Sequence, residues 1–271
     1  MLYQVTSMAY DPDAEKAYYT TDNYAYRDII QVDIATGKTK MLIRDGRIGD
    51  LVVNPKDKAI WGLRHLNGLT TLVRIDPPYT DWTQIHTFPY GRILFDPDIS
   101  PDGTLLSVSV GEINGDQAVK VYKIADLNLT DEPQPVAQLT LGTSQPESFV
   151  FSPDGKYLYG SSYYTGASNI YRLDLATQKV DAVSNASTGL FRPIPQADGS
   201  MIAFEYTGKG FTPVKFDPKP LDDLGSIKFL GTQVADQHPE VKDWAVGSPA
   251  KVPLDSMIAL YDKGALDPVI H

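Results

Sequence analysis

The chain has 271 residues, with 21 Gly, 20 Pro and no Cys. Its 34 acidic and 24 basic residues give a formal net charge of −10, which repels a phosphate backbone and argues against a nucleic-acid partner. The absence of Cys excludes disulfides, thiol nucleophiles and thiolate metal ligands. The longest apolar runs span only a few residues, as at 51–53, whereas a membrane helix needs about 20, so we expect no transmembrane helix.

A tight-turn motif recurs along the chain, at residues 10–13, 53–56, 99–103, 151–155 and 196–199. The residues that align in these turns, at positions 12, 55, 101, 153 and 197, are 43, 46, 52 and 44 residues apart. Pro presets the backbone angle of the first turn position, and Asp and Gly tolerate the later ones. The sequence therefore predicts five hairpins.

A second repeated element follows each hairpin and is typical of a third strand that ends in another turn. Its five copies lie at residues 32–38, 74–77, 123–126, 172–179 and 215–218. The short β-rich segments at 39–43, 136–141 and 227–230 fit a fourth strand. Since four-stranded units that repeat every 40 to 50 residues or so pack face to face in β-propellers, the sequence predicts an all-β propeller of five four-stranded blades.

The repeats also predict the domain boundaries. We expect the propeller to cover residues 1–234, with blades at about 3–46, 47–90, 91–143, 144–188 and 189–234, and an irregular tail at 235–271. The sequence enters strand-like residues at once, so we expect no signal peptide in this chain. We also expect the chain to be part of a larger protein, and the five blades to be a fragment of a larger propeller or a ring of their own.

One repeat carries a family resemblance. The hairpin Ser-Pro-Asp-Gly-Lys-Tyr-Leu-Tyr at 152–159, followed by Asn-Ile-Tyr-Arg-Leu-Asp at 169–174, resembles the WD-repeat-like, Pro-Asp-Gly repeat of TolB-like bacterial propellers. Residues 93–126 form a second good copy, and the resemblance spans about 3–234. It implies a scaffold in the periplasm or cell envelope that binds other proteins. We expect a protein or peptide partner and no cofactor.

Polar residues occupy one repeated position near the start of each blade's innermost strand, five residues before the aligned turn residue. These residues are Ser7, Asp50, Asp96, Ser148 and Arg192, and Glu147 lies beside them. They predict a polar ring at the mouth of the central channel, able to hold water, a cation or a side chain of a partner. The alternative is that strand ends are polar because they meet solvent.

The acidic members of this ring raise two alternatives. Asp50, Asp96 and Glu147 would be the catalytic carboxylates of a five-bladed glycoside hydrolase. A lactonase-like propeller would instead bind a small ligand or a metal at the mouth. We interpret Asp11-Pro12-Asp13 and Asp96-Pro97-Asp98 as turn caps, because they lack the ligand spacing of a calcium loop. His65 is predicted to lie in a solvated loop.

Aromatic residues are concentrated between the second and third strands of the blades, in loops that should open on the same face as the ring. The predicted binding residues there are Tyr24, Tyr26, Arg27, Tyr163, Tyr164 and Tyr206, together with Phe211. Tyr and Arg often anchor protein interfaces, although these tyrosines can equally pack between blades. We therefore expect a non-catalytic protein- or peptide-binding propeller, whose unpaired blade faces would favour self-association.

Overall fold

The computed structural model describes residues 5–22, 27–221 and 237–238. These residues form nineteen strands, in five separate antiparallel sheets, and a short 3-10 helix at Ile124–Asp126. All the strands belong to one compact unit, which lies within residues 1–112 and 117–227. Of the second unit, the structure describes residues 113–116 and 237–238.

Each of the first four sheets contains four consecutive strands of the chain. The first sheet contains β1 (Val5–Asp11), β2 (Lys16–Asp22), β3 (Arg27–Asp33) and β4 (Thr39–Ile43). The second contains β5 (Ile48–Val53), β6 (Ile60–Leu66), β7 (Leu69–Ile75) and β8 (Thr83–Thr87). The third contains β9 (Ile93–Ile99), β10 (Leu105–Gly111), β11 (Gln117–Lys123) and β12 (Ala137–Leu139). The fourth contains β13 (Pro146–Phe151), β14 (Tyr157–Ser162), β15 (Asn169–Asp174) and β16 (Val180–Ala182).

The fifth sheet has three described strands, β17 (Leu190–Pro195), β18 (Met201–Thr207) and β19 (Gly210–Phe216). The predicted fourth strand at 227–230 and nearly all of the predicted tail lie outside the described residues. In every sheet the strands pair in chain order. The first strands of consecutive sheets, β1, β5, β9, β13 and β17, contact one another in sequence and are therefore innermost. The predicted all-β, five-bladed propeller is confirmed.

The hairpin turns are closed by the polar side chains that the repeat supplies. In the third blade, the Ser100 hydroxyl accepts a hydrogen bond from Leu105 N at 2.9 Å and donates one to the Asp102 carboxylate. In the fourth blade, Ser152 and Asp154 repeat this arrangement, with Tyr157 N as the donor to Ser152 at 3.0 Å. These local bonds explain why Ser-Pro-Asp-Gly forms a hairpin irrespective of the blade in which it occurs.

The hydrophobic core lies between blades. Four buried clusters each combine residues of two consecutive blades. Trp61 of the second blade, for example, is buried with Leu94 and Ile99 of the third, and Phe149 and Phe151 of the fourth blade are buried with residues of the third. A blade is therefore stabilised by its neighbours, as repeat architectures require.

In the first blade, two apolar side chains of the innermost strand are exposed. In β1, Met8 is 67% and Tyr10 is 50% exposed. The residues at the position of Met8 in β5 and β13, Leu51 and Phe149, are buried in the clusters shared with the preceding blade. Consecutive innermost strands pack against each other. Among the described residues, β17 and β1 do not pack against each other to a comparable extent. Within this same part of the chain, no helix has the length and apolar character required to cross a bilayer.

Substituting Gly160 by Ala tests the packing between strands. A Cβ atom at Gly160 would overlap the Phe149 ring, so we expect Gly160→Ala to lower the free energy of unfolding by about 2 kcal/mol, as overpacked core sites do. Gly208→Ala is the control, because nothing lies within 4 Å of its added Cβ. Urea unfolding of both variants checks this, and equal stability of the two would contradict it.

Candidate functional site

The five predicted ring positions fall on the five innermost strands. Ser7 lies in β1, Asp50 in β5, Asp96 in β9, Ser148 in β13 and Arg192 in β17. In each case the pairing register with the second strand shifts next to this residue, as at a β-bulge. Because the first and second strands are antiparallel, the hairpins between the second and third strands lie at this same end of each blade.

Four ring residues have a left-handed backbone. Asp50, Asp96, Ser148 and Arg192 have φ values of 48°, 49°, 53° and 50°. One type of β-bulge requires a residue in this conformation. The conformation costs on the order of 1 kcal/mol for a residue that has a Cβ atom. Since three residue types, Asp, Ser and Arg, share the conformation, the bulge is a property of the repeat.

The bulge corrects our interpretation of one motif. Asp96-Pro97-Asp98 is not a turn cap but lies inside β9, where the register with β10 shifts. A bulge leaves a residue outside the ladder, so a Pro without an N–H group is tolerated there. Asp11 and Asp13 do lie at a turn, in which the Asp11 carboxylate accepts a hydrogen bond from Asp13 N at 3.1 Å.

Some ring side chains join neighbouring blades. The Ser7 hydroxyl accepts a hydrogen bond from Leu51 N at 2.6 Å, and the Asp96 carboxylate accepts one from Ser148 N at 2.8 Å. Two residues beyond Asp96, the Asp98 carboxylate accepts a hydrogen bond from Phe151 N at 2.7 Å. Ser7 and Asp96 are thus used in the contact between blades.

The acidic residues at the mouth influence one another. Burial raises the pKa of Asp50, and the negative charge of Asp96 raises it further, against the weaker effects of His65 and Arg27. Burial and then Asp96 also raise the pKa of Glu147, which Arg192 opposes. The three carboxylates named for the hydrolase therefore share one electrostatic environment, although Asp96 is already engaged by Ser148 N.

Two basic residues lie near Asp50. Arg27, at the start of β3, approaches Gly49 so closely that a Cβ there would overlap its guanidinium. His65 is exposed near the end of β6, where the hydroxyl of Thr70 lies 3.3 Å from its Nδ1 atom. His65 is thus in a strand and not in the predicted loop. Although much of the side chain is exposed, partial desolvation of the ring lowers the pKa of His65, and the charge of Asp50 opposes that effect.

Four aromatic rings form a chain between the fourth and fifth blades. Phe191 contacts Tyr163 and Phe211 edge to face, with ring centroids 5.9 and 5.3 Å apart. Phe211 in turn contacts Tyr206 at 5.5 Å. Tyr163, Tyr206 and Phe211 are all more than half exposed. This aromatic cluster therefore presents a large apolar surface to solvent.

A pocket of about 430 Å³ lies beside the aromatic cluster. It is lined by Glu147, Ser161, Phe191, Arg192, Phe204 and Phe211. The pocket joins two predicted ring residues, Glu147 and Arg192, to the predicted aromatic residue Phe211. Its size and its apolar lining with a few polar groups are typical of a binding site.

Tyr164, another predicted aromatic residue, is not part of the exposed aromatic cluster. Tyr164 is partly buried and packs edge to face on the fully buried Tyr171, with centroids 6.2 Å apart. It therefore belongs to the contact between the third and fourth blades. Tyr24 and Tyr26 lie outside the described residues.

Sequence reasoning missed Phe191, Phe204 and Ser161 as pocket residues. Phe191 precedes the ring residue Arg192 and pairs with Phe204 across the hairpin, so aligned repeats would have brought both to the mouth. Ser161 pairs with Glu147 in the same way. Among the described residues, no three His, Asp or Glu side chains are arranged to hold a metal ion.

Comparison with known proteins identifies the architecture. No protein-family model matches the sequence, and no curated protein matches it. Among solved structures, TolB from Acinetobacter baumannii superposes with a TM-score of 0.62 at 16% identity, over 80% of this chain and 52% of TolB. The fold is that of a TolB-like β-propeller.

Two other solved structures match this chain in fold. An oligogalacturonate lyase in complex with manganese has a TM-score of 0.59 at 13% identity, over 79% of this chain and 64% of the lyase. A chain of a nidogen/laminin complex has a TM-score of 0.60 at 12% identity, over 80% of this chain and 78% of that chain. At such identities the likeness is one of fold, and this chain spans about half the length of the Acinetobacter TolB.

Asp98 of the TolB-like propeller makes a pH-dependent prediction. Burial raises the pKa of Asp98 to about 7, so its charge destabilises the folded state as the pH rises from about 4 to about 7. Asp98→Asn removes this effect, while its amide oxygen can still accept the Phe151 bond. Between pH 5 and pH 8, we expect the free energy of unfolding of the variant to rise, relative to that of the wild type, by on the order of 2 kcal/mol.

The control for this measurement is Asp154→Asn. The hydrogen bond from Ser152 lowers the pKa of Asp154, so its charge does not change between pH 5 and pH 8. Urea unfolding at the two pH values measures both variants against the wild type. If the difference in the free energy of unfolding between Asp98→Asn and the wild type is the same at pH 5 and pH 8, the Asp98 charge does not destabilise the folded state and the prediction is wrong.

Proposed function

We propose that this propeller is a non-catalytic scaffold that binds a protein or peptide at the channel mouth. The observation that carries the proposal is the exposed aromatic cluster of Tyr163, Phe191, Tyr206 and Phe211 beside the pocket. Exposed aromatic residues on a rigid framework provide contact area with little loss of conformational entropy. Here the framework is supplied by β17, β18 and β19 and their contact with the fourth blade.

The mouth supports binding better than catalysis. A hydrolase of this kind needs two carboxylates that face the substrate, and one carboxylate oxygen of Asp96 is used in the hydrogen bond from Ser148 N of the next blade. A resident metal would need several converging ligands, which the described residues do not offer. The lyase match extends to the fold and does not add a catalytic residue to this chain.

We further propose that the chain works in the periplasm or cell envelope as part of a larger exported bacterial protein. The TolB-like repeat at 152–174 and the TolB-like fold support this location. The larger protein is supported by the length of the TolB match, since this chain spans about half of it.

Phe211→Ala tests the binding site. Phe211 is 61% exposed but makes two edge-to-face ring contacts, so its truncation should lower the free energy of unfolding by about 1 to 2 kcal/mol and leave the protein folded. Loss of an aromatic anchor should weaken binding about tenfold or more. Peptides are first selected from a random displayed library on the immobilised protein. Their affinities for the wild type and the variant are then measured by fluorescence polarisation.

Leu129→Ala is the matched control, because Leu129 is an exposed apolar residue of the third blade that lies outside the pocket. It should bind the selected peptides as the wild type does. If no peptide is selected, or if Phe211→Ala binds as tightly as the wild type, the proposed function is wrong.

We also propose that the chain self-associates through the uncovered face of β1. Met8 and Tyr10 are exposed apolar residues at positions that a neighbouring blade covers elsewhere. Exposed apolar patches on a folded domain are typical of contact surfaces, and a second copy of the chain is the partner that is always present.

Met8→Lys tests self-association by placing a charge in this face. In light scattering at increasing concentration, we expect the wild-type mass to rise above that of one chain and the variant to remain at one chain. Leu129→Lys adds the same charge at another exposed position and should behave as the wild type. A wild-type mass of one chain at every concentration would overturn this proposal.

A further inference from the structure

The pocket beside the aromatic cluster has a cation at its rim. Arg192 is exposed, and its guanidinium forms no hydrogen bond or ion pair with any other described residue. The rest of the lining includes three aromatic rings, those of Phe191, Phe204 and Phe211. An unpaired guanidinium next to apolar rings offers a forked hydrogen-bond donor and an apolar surface in one site.

Glu147 lies in the same lining and is partly buried. Arg192 attracts its carboxylate, but burial and Asp96 together raise its pKa more strongly than Arg192 lowers it. Glu147 and Arg192 also form no ion pair among the described residues. The pocket therefore presents a donor for an anion and a separate acceptor for an N–H group.

We propose that this pocket binds a peptide carboxylate at Arg192, with an adjacent aromatic or branched apolar side chain among the phenylalanines. An N–H group of the same peptide would donate to Glu147. The proposal rests on the proposed peptide-binding function and specifies its ligand. The edge-to-face contacts within the aromatic cluster leave ring faces and edges that another aromatic side chain can contact in the same way.

The charge of the surroundings favours a carboxylate over a phosphate. Asp50, Asp96 and Glu147 interact electrostatically at the mouth, and Arg192 is the cation of the pocket lining. A phosphate carries a charge of about −1.5 to −2 and would be repelled more strongly by these acids than a carboxylate would. One guanidinium matches one carboxylate in charge and in geometry.

The test compares three fluorescein-labelled synthetic peptides by fluorescence polarisation. The first is Gly-Ser-Gly-Ser-Ala-Phe with a free carboxyl end, the second is its C-terminal amide, and the third is the amide of Gly-Ser-Gly-Ser-Asp-Phe. We expect the wild type to bind a carboxylate-bearing peptide about tenfold more tightly than the first peptide's amide, a difference of about 1.4 kcal/mol. The first and third peptides distinguish a chain terminus from an acidic side chain as the source.

Arg192→Gln should abolish this preference without abolishing binding of the amide. Arg192→Lys should keep part of it, because Lys retains the charge but not the forked geometry. Arg44→Gln is the control, since it makes the same change in net charge at an exposed residue outside the pocket. Glu147→Ala should weaken binding of the amide, which loses the acceptor for its N–H group, and should weaken the acid less, because the repulsion between Glu147 and the peptide carboxylate is also removed.

The results separate this inference from the proposed function. If acid and amide bind the wild type equally while Phe211→Ala weakens both, the carboxylate site is wrong and peptide binding stands. If Arg44→Gln reduces the preference as much as Arg192→Gln does, net charge alone explains it and the site is again wrong. If the peptides selected for the wild type bind Phe211→Ala equally well, both proposals fail.

Discussion

Packing of each blade against the next is the interaction on which the rest of the structure depends. The described blades share four apolar clusters, each made by two neighbours, and have no core of their own. This packing brings the five innermost strands together. Residues far apart in sequence, such as Ser7 and Leu51 or Asp96 and Ser148, are then close enough to form hydrogen bonds. The residues of the channel mouth are thus brought together by the apolar packing between blades.

The bulge in each innermost strand links the fold to the site. Its left-handed residue costs on the order of 1 kcal/mol when it carries a Cβ, yet Asp50, Asp96, Ser148 and Arg192 all adopt it. The hydrogen bond between Asp96 and Ser148 N offsets part of that cost in one pair of blades. Where no such bond forms, as at Arg192, the polar side chain is available for a ligand. The same repeated position therefore joins neighbouring blades at Ser7 and Asp96, and in our proposal it binds a ligand at Arg192.

Local chemistry made much of the fold predictable from the sequence. Turns such as 152–155 close through their own side chains, and the spacing of the turns fixes the number of blades. The Asp96-Pro97-Asp98 motif was misinterpreted, because a turn and a bulge use the same residue types and only the pairing of β9 with β10 distinguishes them. Tyr163 and Tyr164 are adjacent in sequence, but one joins the exposed cluster and the other packs on Tyr171. Which of the two is exposed depends on the neighbouring blade.

Electrostatics at the mouth favours selective binding over general affinity for anions. In a chain with a net charge of −10, an anionic ligand is repelled at long range and is held only where a cation and an apolar surface act together. Arg192 and its neighbouring phenylalanines supply this combination. The acids around them, Asp50 and Glu147, oppose ligands of higher charge. The carboxylate site that we propose would admit a ligand with a single negative charge and an apolar group next to it, and it would discriminate against polyanions by repulsion as well as by fit.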